Sequence, residues 1–118
     1  MQFQDKVTVV TGGASGIGAA CCRNFAARGA KVVVVDLNGD GAQSVAAEFG
    51  GLGVGCDVGD EGAIDALVKQ TEDTHGPIDI FFNNAGINSG REILNTDLSV
   101  WADQWQVNLM SHVYAVRA

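Results

Sequence analysis

Short runs of apolar, β-branched residues alternate along the chain with longer stretches whose apolar positions recur at helical spacing. Residues 6–11 (KVTVVT) and 31–36 (KVVVVD) are apolar at successive positions, as strands buried on both faces are. Residues 52–56 read as a weaker third strand, diluted by Gly53 and Gly55, and residues 78–83 (IDIFFN) as a fourth. Between them, residues 16–28, 40–49 and 60–75 carry apolar stripes. Ile17, Ala20, Cys21 and Phe25 line the first, Val45, Ala46 and Phe49 the second, and Ile64, Leu67 and Val68 the third. Gly29 stands where the first helix should stop. His75, Gly76 and Pro77 end the third: an imidazole at the negative pole, a glycine at C′, and a proline that blocks continuation. Residues 84–96 are polar and irregular. From Leu98 the pattern is helical again, with Asp97 or Ser99 as its cap and no stop signal before Ala118.

The order is β-α-β-α-β-α-β-loop-α. Strands separated by helices imply a parallel sheet with right-handed crossovers, covered by helices on both faces. A chain of 118 residues is the size of about one domain and can bury a core. Glycine is the outlier of the composition. Its 16 residues are about twice the usual ~7% and have no fixed period, so they serve the backbone at particular places. The formal net charge of −7, with only 7 scattered Lys and Arg, argues against nucleic acid or an anionic membrane as partner. The longest aliphatic run, Val32-Val33-Val34-Val35, is far too short to span a bilayer, and the first residues lack a signal-peptide stretch. A soluble, cytoplasmic protein is expected. Cys21 and Cys22 are adjacent and Cys56 is the only other cysteine, so neither a disulfide framework nor a metal site is expected.

The first strand runs into Thr11-Gly12-Gly13-Ala14-Ser15-Gly16-Ile17-Gly18, and a helix follows. Unpaired N–H groups at that helix start, with the helix dipole, make an anion site suited to a pyrophosphate. Asp36 ends the second strand, near the ~20-residue offset at which a carboxylate accepts from the adenosine ribose hydroxyls. A carboxylate there repels a 2′-phosphate, and neither Ser15 nor Leu37 is basic, so NAD is expected over NADP.

Read from Thr11, the loop is T-G-x-x-x-G-x-G, a spacing that resembles the short-chain dehydrogenase/reductase (SDR) family. Cys56-Asp57-Val58 is similar to the family's acidic adenine-contacting motif. Asn83-Asn84-Ala85-Gly86 resembles its N-N-A-G, and Asn108 its fifth-helix asparagine. The resemblance covers the chain from Val7 onward. It implies a Rossmann-type doubly wound sheet with strand order 3-2-1-4, here truncated after the fourth strand and part of the fifth helix.

It also implies roles. Gly12, Gly16 and Gly18 would form the pyrophosphate loop, with Ser15 and Ile17 donating hydrogen bonds. Asp36 would hold the ribose beside Leu37. Asp57 and the Val58 backbone would meet the adenine. Asn84, Ala85 and Gly86 would lead to the nicotinamide ribose, while Asn83 and Thr11 brace the sheet. Asn108 would be the catalytic asparagine that holds a water in the proton relay. A homo-oligomer, dimer or tetramer, is expected through the last helix, with Trp101, Trp105, Val113 and Val116.

The family's chemistry also needs a serine and a Y-x-x-x-K pair. The only tyrosine, Tyr114, is followed four positions later by Ala118, and it shares a helix with Asn108, so it reads as a packing or interface residue. Family members run to about 250 residues, within the range of one doubly wound domain. Residues 1–118 are therefore expected to be the cofactor-binding part of a longer NAD-dependent oxidoreductase. It would transfer hydride between NAD(H) and a small alcohol or carbonyl compound, the chain alone being inactive. The alternative is a non-catalytic dinucleotide-binding or sensor domain, or an inactive structural fragment. The substrate is out of reach of the sequence; the loop 87–96 should border its entrance.

Overall fold

The computed structural model describes residues 2–85, together with Ala102, Val107, Met110 and the helix Ser111–Arg117. Four strands, β1 (Val7–Thr11), β2 (Lys31–Asp36), β3 (Leu52–Gly55) and β4 (Ile80–Phe82), form one parallel sheet in the order β3-β2-β1-β4. The order reverses at β1. Val9 pairs with Val33 on one side and with Phe81 on the other. Helices α1 (Gly16–Ala27), α2 (Gly39–Ala47) and α3 (Glu61–His75) connect the strands, and α4 is Ser111–Arg117.

Two cores result, one on each face of the sheet. Val10, Val32 and Val34 pack with Ala19, Cys22, Ala42 and Val45 under α1 and α2. Val9, Val33 and Val35 pack with Ile64 and Leu67 under α3, where Tyr114 of α4 also rests. Alternate residues of β1 and β2 thus supply opposite cores, the period of a strand expressed in a sheet buried on both sides. All five residues of β1 are buried, whereas β4 is half-buried throughout.

Two stripes differ from the sequence expectation. In α1 the buried face is Gly18, Ala19 and Cys22, while Ile17 is 74% exposed and Ala20 points outward. The small residues face the sheet because the loop brings the helix start close to β1. In α3 the third inward position is Thr71, with Val68 only half-buried.

The glycine stops after α1 and α3 lie where the sequence places them, and two side chains cap helix starts. Asn38 and Asp60 cap α2 and α3 by accepting from the N–H of Gly41 and Gly62, each at 3.0 Å. Gly29 and Gly76 follow α1 and α3 with φ of 88° and 92°. The expected cap at Asp97 or Ser99 and the loop 87–96 lie outside the described residues, as do Trp101 and Trp105. Among the described residues no helix is long and apolar enough to cross a membrane.

Candidate functional site

All four strands point their carboxyl ends at one cleft of about 430 Å³. Gly12 and Ser15 follow β1, Asp36 ends β2 with Leu37 just after it, and Cys56, Asp57 and Val58 follow β3. Asn84 and Ala85 follow β4, and Val107 closes the wall. The cleft sits at the reversal of strand order around β1, the position at which open parallel sheets bind ligands.

The glycine loop forms one side. Gly12 and Gly16 have φ of 67° and 59°, which side chains with a Cβ rarely adopt. A Cβ at Gly12 would lie 3.0 Å from Ala85 Cα, so the loop passes against the segment after β4 with no room to spare. A Cβ at Gly18 would overlap the Gly12 carbonyl. The first turn of α1 therefore lies directly on the loop.

Ser15 is the N-cap of α1, but its side chain makes no capping hydrogen bond. Its hydroxyl stands beside the helix N–H groups, which have no intrahelical partner. Gly16, Ile17 and Gly18 form this helix start rather than the cleft wall.

Three hydrogen bonds hold the loop in place. Gly13 N–H donates to Val35 O at 2.9 Å. Ala14 N–H donates to Asp36 Oδ2 at 3.0 Å. Asn84 Nδ2 donates to Gly12 O at 3.4 Å. The expected bracing by Thr11 is present. Its hydroxyl accepts the N–H of both Asn84 and Ala85 at 3.0 Å and donates to Phe82 O at 3.4 Å. Asn84 shares that work through Gly12, in addition to lining the cleft.

Asp36 stands at the cleft with Asn38 N–H on its Oδ1 at 3.0 Å. Leu37 beside it is 78% exposed, an apolar side chain open to a ligand. Asp57 accepts from Gly59 N–H at 2.9 Å in the turn after β3 and is otherwise exposed at the cleft wall.

Two wall residues, Cys56 and Val107, were given no site role from sequence. Cys56 is buried, and that burial pushes its thiol up to about 11, with Asp57 and Asp60 adding to the rise. It is a neutral thiol in the cleft wall. Its signal was its place directly before Asp57. Val107 comes from the segment that carries Asn108. Asn108 and Gly86 themselves lie outside the described residues. Tyr114 is half-buried against the α3-side core, as a packing residue would be.

The sequence pattern of the short chain dehydrogenase family matches residues 6–118. The chain belongs to the short chain dehydrogenase family. It is 41% identical over 112 residues to "Short-chain dehydrogenase reductase 5" of Arabidopsis thaliana, covering 92% of this chain and 43% of that protein. It is 38% identical over 113 residues to "D-threitol dehydrogenase" of Mycolicibacterium smegmatis, covering 92% and 44%. In fold it matches the crystal structure of a 3-ketoacyl-(acyl-carrier-protein) reductase from Brucella melitensis complexed with NADH. The TM-score is 0.94 at 34% identity, over 98% of this chain and 49% of that one. This short chain dehydrogenase chain thus spans under half the length of these relatives.

The cleft fits a dinucleotide on its own geometry. A helix start with a free N-cap hydroxyl suits a pyrophosphate. The absence of side chains at Gly12 and Gly18 lets the loop pack against Ala85 and the start of α1 lie on the loop, and a carboxylate stands at the end of β2.

Proposed function

We propose that this cleft binds NAD(H) and that the protein is an NAD-dependent oxidoreductase acting on a small alcohol or carbonyl compound. The convergence of the glycine loop and Asp36 on one cleft at the carboxyl ends of the strands carries the reading. The likeness to a reductase whose crystal structure holds NADH supports it.

In this reading the loop N–H groups around Gly12, Gly16 and Gly18 bind the pyrophosphate, helped by Ser15 Oγ and the N–H of Ile17. Asp36 accepts from the adenosine ribose hydroxyls, and its charge disfavours a 2′-phosphate. Neither Ser15 nor Leu37 offsets that charge. Leu37 and Val58 cover the adenine, and Asp57 accepts from its amino group. Asn84, Ala85 and Gly86 line the way to the nicotinamide ribose. Asn108 holds a water for proton transfer. When bound, the nicotinamide supplies the hydride donor or acceptor. Val113 and Val116, exposed on α4, belong to an interface with a second copy.

The test is titration of the full chain with NADH and NADPH, followed by nicotinamide fluorescence. Saturable NADH binding, displaced by ADP-ribose and tighter than NADPH, is expected. No binding of either cofactor would overturn the reading.

A further inference from the structure

We propose that Asp36 also positions the glycine loop, so that the pyrophosphate subsite depends on the carboxylate at the ribose. The inference rests on the cofactor reading above and assigns a second role within the same cleft. Both carboxylate oxygens are already engaged by backbone. Oδ2 accepts the N–H of Ala14 and Oδ1 that of Asn38, each at 3.0 Å. The first bond crosses from the end of β2 to the loop after β1. The second fixes the carboxylate on its own turn, and Asn38 is itself held as the cap of α2 through Gly41. A chain of contacts therefore runs from the start of α2 through Asn38 and Asp36 to Ala14, next to the Ser15 cap of α1.

The loop needs such an anchor. Gly12 and Gly13 precede Ala14, and Gly16 comes two residues after it, so the backbone on both sides has more freedom than side chains would leave it. Gly13 is tied to Val35 O, but Ala14, the residue nearest the helix cap, is tied to Asp36. A carboxylate oxygen offers two acceptor sites, so ribose hydroxyls can donate to Asp36 without displacing Ala14. The anchor and the ribose contact coexist.

The two roles separate with an NADH analogue whose adenosine ribose lacks the 2′ and 3′ hydroxyls. It keeps the pyrophosphate and gives Asp36 nothing to accept. Asp36→Ala and Asp36→Asn remove the same charge, and with it the same repulsion of phosphate. Only Asp36→Asn retains a carbonyl oxygen, which can accept from Ala14 or from Asn38 but not from both, and amide exchange at Ala14 slower than in Asp36→Ala shows that it serves Ala14. Asp36→Ala is expected to bind the dideoxy analogue about 2- to 10-fold more weakly than Asp36→Asn, the loss of one neutral hydrogen bond on a partly exposed site. Equal affinity of the two variants for the analogue, with Ala14 more protected from exchange in Asp36→Asn than in Asp36→Ala, would overturn the proposal.

Amide exchange without cofactor gives an independent reading. Exchange at Ala14 should rise in Asp36→Ala, and exchange unchanged from the native protein would again overturn the anchor. Raised exchange at Ala14 with no NADH binding even in the native protein would uphold the anchor and sink the cofactor reading instead.

Discussion

The hydroxyl of Thr11, at the end of β1, accepts the backbone N–H of Ala85, beyond the end of β4, at 3.0 Å. The same oxygen accepts from Asn84 at 3.0 Å, and Thr11 is almost fully buried. One side chain therefore fixes the segment after β4 against the strand that feeds the glycine loop. Thr11→Val keeps the shape and removes the acceptor, leaving two N–H groups without it. A loss of about 1–3 kcal/mol in denaturant unfolding is expected. Thr11→Ser should recover most of it. A valine variant as stable as the native protein would show that the hydroxyl is dispensable.

Gly18 tests the contact between α1 and the loop. Gly18→Ala places a methyl group on the Gly12 carbonyl, which is backbone and cannot swing away. The helix start must shift. Destabilisation of about 1–3 kcal/mol is expected, as for overpacking generally, together with loss of NADH binding. Native affinity in a titration of this variant would mean that the loop does not bear on the cofactor.

Asp36 carries the cofactor preference. Asp36→Ala should weaken NADH and narrow its advantage over NADPH, because the repulsion of a 2′-phosphate is gone while the ribose acceptor is lost. Measured dissociation constants for both cofactors decide it. An unchanged NADH to NADPH ratio would remove Asp36 from the discrimination.

Thiol chemistry offers a pH test. Cys22 and Cys56 are both pushed up to about 11, first by burial, so both are protonated at neutral pH. The thiolate is the reactive form, and Cys21 is the more accessible of the three. Mass spectrometry after brief iodoacetamide treatment at pH 8 should find Cys21 modified before the other two. For stability, an unfolded thiol ionises near 9 while these folded ones stay protonated until about 11. The unfolded state gains over that window, so stability should fall as pH rises from about 9 to 11. Cys22→Ala combined with Cys56→Ala should flatten that fall. An equally steep fall without the two thiols would assign it to other groups.

Much of the fold was legible because its signals are local. The valine run of β2 can be accommodated only where both faces are buried, and His75-Gly76-Pro77 ends a helix wherever it stands. The inward face of α1 was not legible. Ile17 is the most apolar residue of its stretch, yet Gly18, Ala19 and Cys22 face the sheet. Close approach of the helix start to β1 excludes anything larger there. Likewise Cys56 reaches the cleft only because β3 ends beside it, and Val107 only because the tertiary structure brings it to the wall.

The sequence by itself determined the alternation of strands and helices, the position of the glycine loop, and the acidic residue at the end of β2. Each depends on residues close together in the chain. Tertiary structure alone decided that the ends of four strands meet in one cleft. It also placed Thr11 between Asn84 and Ala85, and Ala14 on the Asp36 carboxylate. Those contacts join residues 22 to 74 positions apart. They exist because parallel strands bring their carboxyl ends to a common edge, a consequence of crossover geometry that no local pattern encodes.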